Sequence, residues 1–328
     1  MLTHFCGLKV EVDRPIPGLE PLVARDPAEG PDLTVFLDAG HPWNPGDEAE
    51  CESKYLRWDE KGDPLLEVSR SSEGHYFRLS YSDGTDFTID GEGSSIWATW
   101  SEPYTLEWMS TYLLGPVMGF ALRRRGLVSL HAGAVVHEGD AVAVAGPPGV
   151  GKSTTTTAFA RRGFSVLTDD MLPLVEEGGR FLAQPTYPRM RLWDDSVERF
   201  YGRAEALPLL TPRWEKRALD LRPQGLVFES HRKPLAAIYV LQPTPGETQT
   251  RIEVLRGRQA LMALVNNTYI NYLLDAEMRA SEFDLIGRLI SQVPLRALVL
   301  SDPRPSPETI CDLVLTDHLE IRRQRSEH

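Results

Sequence analysis

One stretch limits the folds open to this chain more than any other: residues 141–170, AVAVAGPPGVGKSTTTTAFARRGFSVLTDD. Its first five residues, Ala141 to Ala145, are an apolar run of strand length. Gly146, four residues, then Gly151-Lys152-Ser153 complete a phosphate-loop pattern, and Ser153 to Arg162 has helical composition without Pro or Gly. Gly163 closes that helix, and the apolar run Phe164 to Leu167 leads into Thr168-Asp169-Asp170. Strand, loop, helix and strand in this order are the context in which the pattern carries meaning.

The residue types explain the chemistry. Gly146, Gly149 and Gly151 allow a tight curl whose N–H groups point inward. Those N–H groups and the positive end of the following helix form a site for phosphate oxygens. Lys152 supplies a mobile charge for the β- and γ-phosphates, and the Ser153 hydroxyl is the expected Mg²⁺ ligand. The nucleotide-binding set is therefore Gly146, Pro147, Pro148, Gly149, Val150, Gly151, Lys152, Ser153 and Thr154. Of Asp169 and Asp170, one could hold the metal through water and the other could take a proton from an attacking hydroxyl.

Composition narrows the partners. A net charge of −12 over 328 residues argues against nucleic acid or an anionic membrane surface. Cys6, Cys51 and Cys311 are far apart and match no metal spacing, which fits a reducing compartment. The N-terminus carries no basic region followed by an apolar core, and the longest apolar run, Tyr112 to Leu122, is too short to span a bilayer. The expectation is a soluble, cytoplasmic protein.

Along the chain, Leu8–Val12, Thr34–Leu37, Lys54–Trp58, Leu65–Ser69, His75–Tyr81 and Asp86–Asp90 read as strands separated by turn signals, a meander or small sandwich. Glu102 to Arg125 reads as a helix broken or kinked at Gly115-Pro116. Leu127–Val136 and Ala141–Ala145 read as a hairpin, with His131 inside its first strand. Leu172–Val175 and Arg180–Ala183 read as another hairpin, and Pro185–Trp193 as a loop-rich passage. Helices are expected at Asp194–Tyr201, Arg258–Leu274, Glu282–Gln292 and Pro307–Leu315, strands at Leu235–Leu241 and Arg296–Leu300, and a frayed tail at Arg322–His328. The whole reads as a small β-rich domain, 1–95, preceding an α/β phosphate-loop domain, 96–328.

LLGPVMGFALRRRGLVSLHAGAVV, the loop and RRGFSVLTDD together resemble the catalytic domain of the HPr kinase/phosphorylase family over residues 110–195. In that family a catalytic His lies 21 residues before the loop lysine and a catalytic Asp 18 after it; His131 and Asp170 stand at those distances from Lys152. The resemblance implies that Asp170 is the base for a substrate hydroxyl and that Ser153 holds Mg²⁺, leaving Asp169 as the second candidate metal holder. His131, Lys152 and Asp170 are then the catalytic set. The family's second metal ligand is a Glu, whereas the matching stretch here reads PTYPRMRLWDDS, with Asp194 or Asp195 as substitutes. Arg189, Arg191, Lys216, Arg217 and Arg232 are basic candidates for the γ-phosphate. Neither the segment tied to phosphorylase activity nor the usual N-terminal domain is recognisable. The family's bacterial regulator is a hexamer, which makes a homo-oligomer an implication here too.

The expected function is an ATP- and Mg²⁺-dependent kinase acting on a hydroxyl, foremost a serine of a peptide or protein. A kinase of a small-molecule hydroxyl and a non-catalytic ATP-binding regulator are the alternatives. An Asn-Lys-x-Asp guanine motif and a Leu-Ser-Gly-Gly-Gln signature are both absent from the sequence, so a GTPase and a transporter ATPase fit poorly.

Overall fold

A computed structural model describes residues 1–19, 30–47, 52–58, 64–211 and 214–327. It is a mixed α/β structure with several sheets, and it divides into two compact units. Met1–Leu127 and Ile270–Met278 form the first, and Val128–Tyr269 and Arg279–His328 the second. Cys51 and the Asp-Glu-Lys-Gly turn lie outside the described residues.

Alternating apolar residues build the first unit. Leu33, Val35 and Leu37 point inward from one strand, Phe77 and Leu79 from another, and Ile96 and Ala98 from a third. The strands Leu2–Phe5, Leu8–Val12, Leu33–Leu37, Glu52–Trp58, Pro64–Arg70, Tyr76–Tyr81, Asp86–Asp90 and Ser95–Thr99 form a single sheet, in spatial order first, second, third, eighth, seventh, sixth, fifth, fourth. It is neither a plain meander nor a sandwich, because the third strand runs parallel to both the second and the eighth.

The helix after this sheet is kinked as expected. Leu106–Tyr112 starts on a Thr105 cap, Gly115 leaves helical geometry (φ −117°, ψ −111°) before Pro116, and Met118–Arg124 resumes. Phe120 packs edge-on to Phe77 at 5.1 Å, and Arg124 donates to the Gly91 carbonyl at 2.7 Å. These contacts group the helix with the β-rich unit, whose first segment runs to Leu127.

The second unit is built on a nine-stranded sheet with strands buried on both faces. Asp140–Ala145 lies parallel to Lys233–Pro243, which lies parallel to Leu295–Leu300. Val142, Val144 and Tyr239 face a core with Phe159 and Val314, from the helices Lys152–Arg161 and Pro307–Ser326. Ala141, Ala143 and Ile238 face the opposite core with Leu264, Ile286 and Leu289, from Gly257–Val265 and Ala276–Gln292.

Four local readings differ from the sequence expectation. The run 127–136 is two strands, Val128–Leu130 and Ala132–His137, broken at His131, where the backbone N–H turns aside to the Asn267 carbonyl at 2.7 Å. Arg189–Trp193 is a strand, paired with Trp214–Asp220 in a small separate sheet. The helix expected over 258–274 stops at Val265, and Asn267 turns its amide back onto the Ala263 carbonyl at 2.8 Å. The last helix runs to Ser326, because its far end is tied down: Arg322 pairs with Asp140 of the sheet.

Candidate functional site

The glycine loop is shaped by its neighbours. Gly146 has φ +145°, and a Cβ there would lie 2.9 Å from the Val150 side chain and 3.1 Å from the Leu241 carbonyl, so only glycine fits without displacement. Gly151 stands just before the helix with φ +106°. Lys152 is buried and folds back under the loop, donating to the Gly146 carbonyl at 2.8 Å and the Pro147 carbonyl at 3.1 Å. Burial lowers its pKa, against the pull of Asp170 and Asp169.

The loop opens into a cleft of about 420 Å³. Pro148, Gly149, Val150, Gly151, Lys152, Ser153 and Thr154 line it together with His131 and Asp170. Gly146, Pro147 and Asp169 are not among the residues that line the cleft; the first two accept from Lys152 through their carbonyls, and Asp169 is buried. Thr154 meets Ser196 at 2.7 Å, joining the start of the loop helix to Asp194–Tyr201.

The two adjacent aspartates have opposite environments. Asp169 is buried; its Oδ2 accepts the Arg191 backbone N–H at 3.0 Å, and its Oδ1 has no hydrogen-bond partner. Burial pushes its pKa up, and the Arg191 N–H and the Ser153 hydroxyl only partly offset this. Asp170 is half-buried; its Oδ1 meets His131 Nε2 at 3.2 Å and its Oδ2 accepts the Tyr269 hydroxyl at 2.9 Å. Burial would raise this pKa too, but the hydrogen bond and charge of His131, with the charges of Arg191 and Lys216, hold it well below the usual carboxylate range.

An orphaned, buried carboxylate oxygen beside a serine hydroxyl suits a small hard cation with oxygen ligands. Among the described residues no group of three or more His, Cys, Asp or Glu side chains converges on a metal position. Ser153 and Asp169 therefore fit Mg²⁺, which keeps waters and takes phosphate oxygens as ligands, rather than a metal caged by protein alone.

The surrounding candidates separate by their partners. Asp194 is bound to Arg217 at 2.8 Å, whereas Asp195 lines the cleft. Arg189 pairs with Asp220 at 2.6 Å and Arg232 with Glu177 at 2.6 Å. Arg191 is buried and donates to the Tyr187 hydroxyl at 3.1 Å. Lys216 is the member of the five basic candidates that lines the cleft.

Sequence reasoning missed several residues at the site, among them Trp193, Arg199 and Arg304 on the cleft lining and Tyr269 and Gly133 beside it. Tyr269 arrives from a segment expected to be helix, with its N–H on the Ser129 carbonyl at 2.8 Å and its ring 5.8 Å from that of His131. Gly133 faces the loop helix so closely that a Cβ would lie 2.3 Å from Thr156 Oγ1. A glycine in an otherwise apolar strand signals such an approach.

No family model matches the chain, and no curated protein does. Among solved structures, the Hpr(Ser) kinase/phosphatase from Coxiella burnetii is similar over 59% of this chain and 98% of that one, with 15% identity and a TM-score of 0.31. Likeness at that level carries no inference about what this chain does. Among the described residues no helix is long and apolar enough to cross a membrane.

Proposed function

We propose that this chain is an ATP- and Mg²⁺-dependent phosphotransferase that moves the γ-phosphoryl group to a hydroxyl, a serine of a peptide or protein. The observation that carries the reading is one cleft lined by residues of the glycine loop with Lys152 and Ser153 and also by His131 and Asp170. The serine acceptor rests on the sequence resemblance at His131, Lys152 and Asp170.

In this reading the loop N–H groups and Lys152 hold the phosphates, and Lys152 leaves the Gly146 and Pro147 carbonyls to do so. Ser153 and Asp169 would hold Mg²⁺, which neutralises charge on the phosphate oxygens when bound. Asp170 accepts a hydrogen bond from the acceptor hydroxyl. As the new O–P bond forms and the bond from the γ-phosphorus to the β,γ-bridging oxygen breaks, the hydroxyl proton passes to Asp170. A carboxylate held so firmly ionised is a weak base. In a loose phosphoryl-transfer transition state the nucleophile keeps its proton until late, so Asp170 acts first by orienting the hydroxyl. His131 and Tyr269 fix its two oxygens for that task.

The test is mass spectrometry of the full chain with Mg²⁺, ATP and a panel of serine peptides, an HPr-like protein and small alcohols. One added phosphate on a peptide or protein serine, lost with Asp170→Asn, supports the proposal. Transfer to a small alcohol alone overturns the serine assignment. Tight ATP binding without transfer to any acceptor overturns the phosphotransferase reading.

A further inference from the structure

The small sheet beside the cleft sets Trp193 directly opposite Lys216, on the strands Arg189–Trp193 and Trp214–Asp220. Lys216 Nζ sits 5.1 Å from the centre of the Trp193 ring, and both residues line the cleft. The same sheet is anchored at the acidic pair, because the Arg191 backbone N–H, two residues before Trp193, is the donor on Asp169. This brings the Lys216 charge within reach of three groups at once: it disfavours the charged form of Lys152 and favours those of Asp169 and Asp170. Arg199 and Arg304 also line the cleft, and Arg304 donates to the Val150 carbonyl at 3.4 Å.

In the nucleotide reading the loop N–H groups and Lys152 take the phosphates, and the terminal one extends toward Asp170, which lines the cleft and whose carboxylate repels it. Besides a metal ion, that phosphate calls for a further cation from the cleft lining, where Lys216 stands. We infer that Lys216 is the residue by which this cleft distinguishes a nucleoside triphosphate from a diphosphate, lying on the Trp193 ring until a terminal phosphate engages it. The inference rests on the nucleotide reading above and adds to it a determinant of nucleotide specificity.

Calorimetric titration of the full chain with Mg²⁺ and either ADP or a non-hydrolysable ATP analogue tests it. Wild type should prefer the triphosphate. Lys216→Met should weaken analogue binding on the order of 10- to 100-fold while ADP binding stays within about 3-fold, the span of one charged hydrogen bond. Lys216→Arg should restore most of the preference, and Lys152→Met should weaken both nucleotides. Equal binding of the two nucleotides by wild type, or an unchanged preference in Lys216→Met, overturns the role of Lys216 and leaves the nucleotide reading standing. Failure of wild type to bind either nucleotide overturns both.

Discussion

Among the described residues, the first unit buries hydroxyls such as Thr3, Ser69, Thr85 and Thr88, and a single charged side chain, Arg123. The second buries Lys152, Asp169, Arg191 and Glu282, the first three of them at or beside one cleft. Burying charge is costly unless it is paired or put to use. The first unit fills its interior with Leu79, Phe87, Ile89 and Ile96, an arrangement that serves folding. The second leaves Asp169 Oδ1 without a hydrogen-bond partner and buries the Lys152 ammonium on two backbone carbonyls, an arrangement that accords with the phosphate and cation roles proposed for them.

Substitutions should separate the two kinds of interior. The largest effect on transfer is expected from Lys152→Ala, a loss of at least 10²–10³ in kcat/KM by analogy with other electrostatic donors, with little change in melting temperature. Phosphate transfer and thermal denaturation measured on the same sample check it; normal turnover would sink the site assignment. Phe87→Ala should behave in the opposite way. That ring is fully buried against Tyr81 at 6.1 Å, and its loss should cost about 3–5 kcal/mol of stability in the first unit. Nucleotide affinity should be untouched, as titration would show.

A third way to sharpen the contrast uses pH. His318 is fully buried in the second unit, with its Nδ1 2.8 Å from Nδ1 of His137 and its Nε2 unpartnered. Burial, then the charge of His137, lowers its pKa to about 4, with Asp140 opposing and Arg322 and Arg325 assisting; Glu138, beside His137, acts on the partner ring. The unfolded chain takes up a proton near pH 6.5, which the folded chain refuses until about 4. Stability from this group is therefore complete above pH 6.5 and falls as pH drops toward 4, by roughly 3 kcal/mol in all. Denaturant titrations between pH 7 and 4 should show the slope, and His318→Leu should flatten it. An unchanged slope in that variant would place the sensitivity elsewhere.

How much of this was legible in the sequence depended on the range of the interactions involved. The loop, its strands and its helix could be read because the glycine spacing and the apolar runs are local. His131 and Asp170 came from the family resemblance, whose His and Asp stand at the same distances from the loop lysine, and the two side chains meet at 3.2 Å. Tyr269 was hidden because the apolar residues Leu261, Leu264, Ile270 and Leu273 imitate one helical face, although Ile270 and Leu273 belong to the other unit. Arg189–Trp193 passed for a loop because Pro185 and Pro188 precede it, and its partner strand lies more than twenty residues away. The first unit's alternation named most of its strands, but alternation does not specify whether neighbours run parallel, and the parallel pairs around Leu33–Leu37 decide that sheet.

The smallest expected effect lies one residue from a large one. Lys216 and Arg217 are consecutive on a strand and so point to opposite faces. Lys216 turns to the cleft, while Arg217 reaches Asp194 Oδ1 at 2.8 Å and the Leu207 carbonyl at 3.2 Å. The pair is part-buried and keeps contact with water through Asp194, so Arg217→Ala should lower the melting temperature by only a few degrees. It should leave the preference for triphosphate over diphosphate intact, because Arg217 is engaged by Asp194 and the Leu207 carbonyl and is not among the residues lining the cleft. Titrating Arg217→Ala beside Lys216→Met therefore asks whether position or mere positive charge matters. If Arg217→Ala lost the preference as well, the sheet's overall shape rather than the Lys216 charge would be setting nucleotide choice.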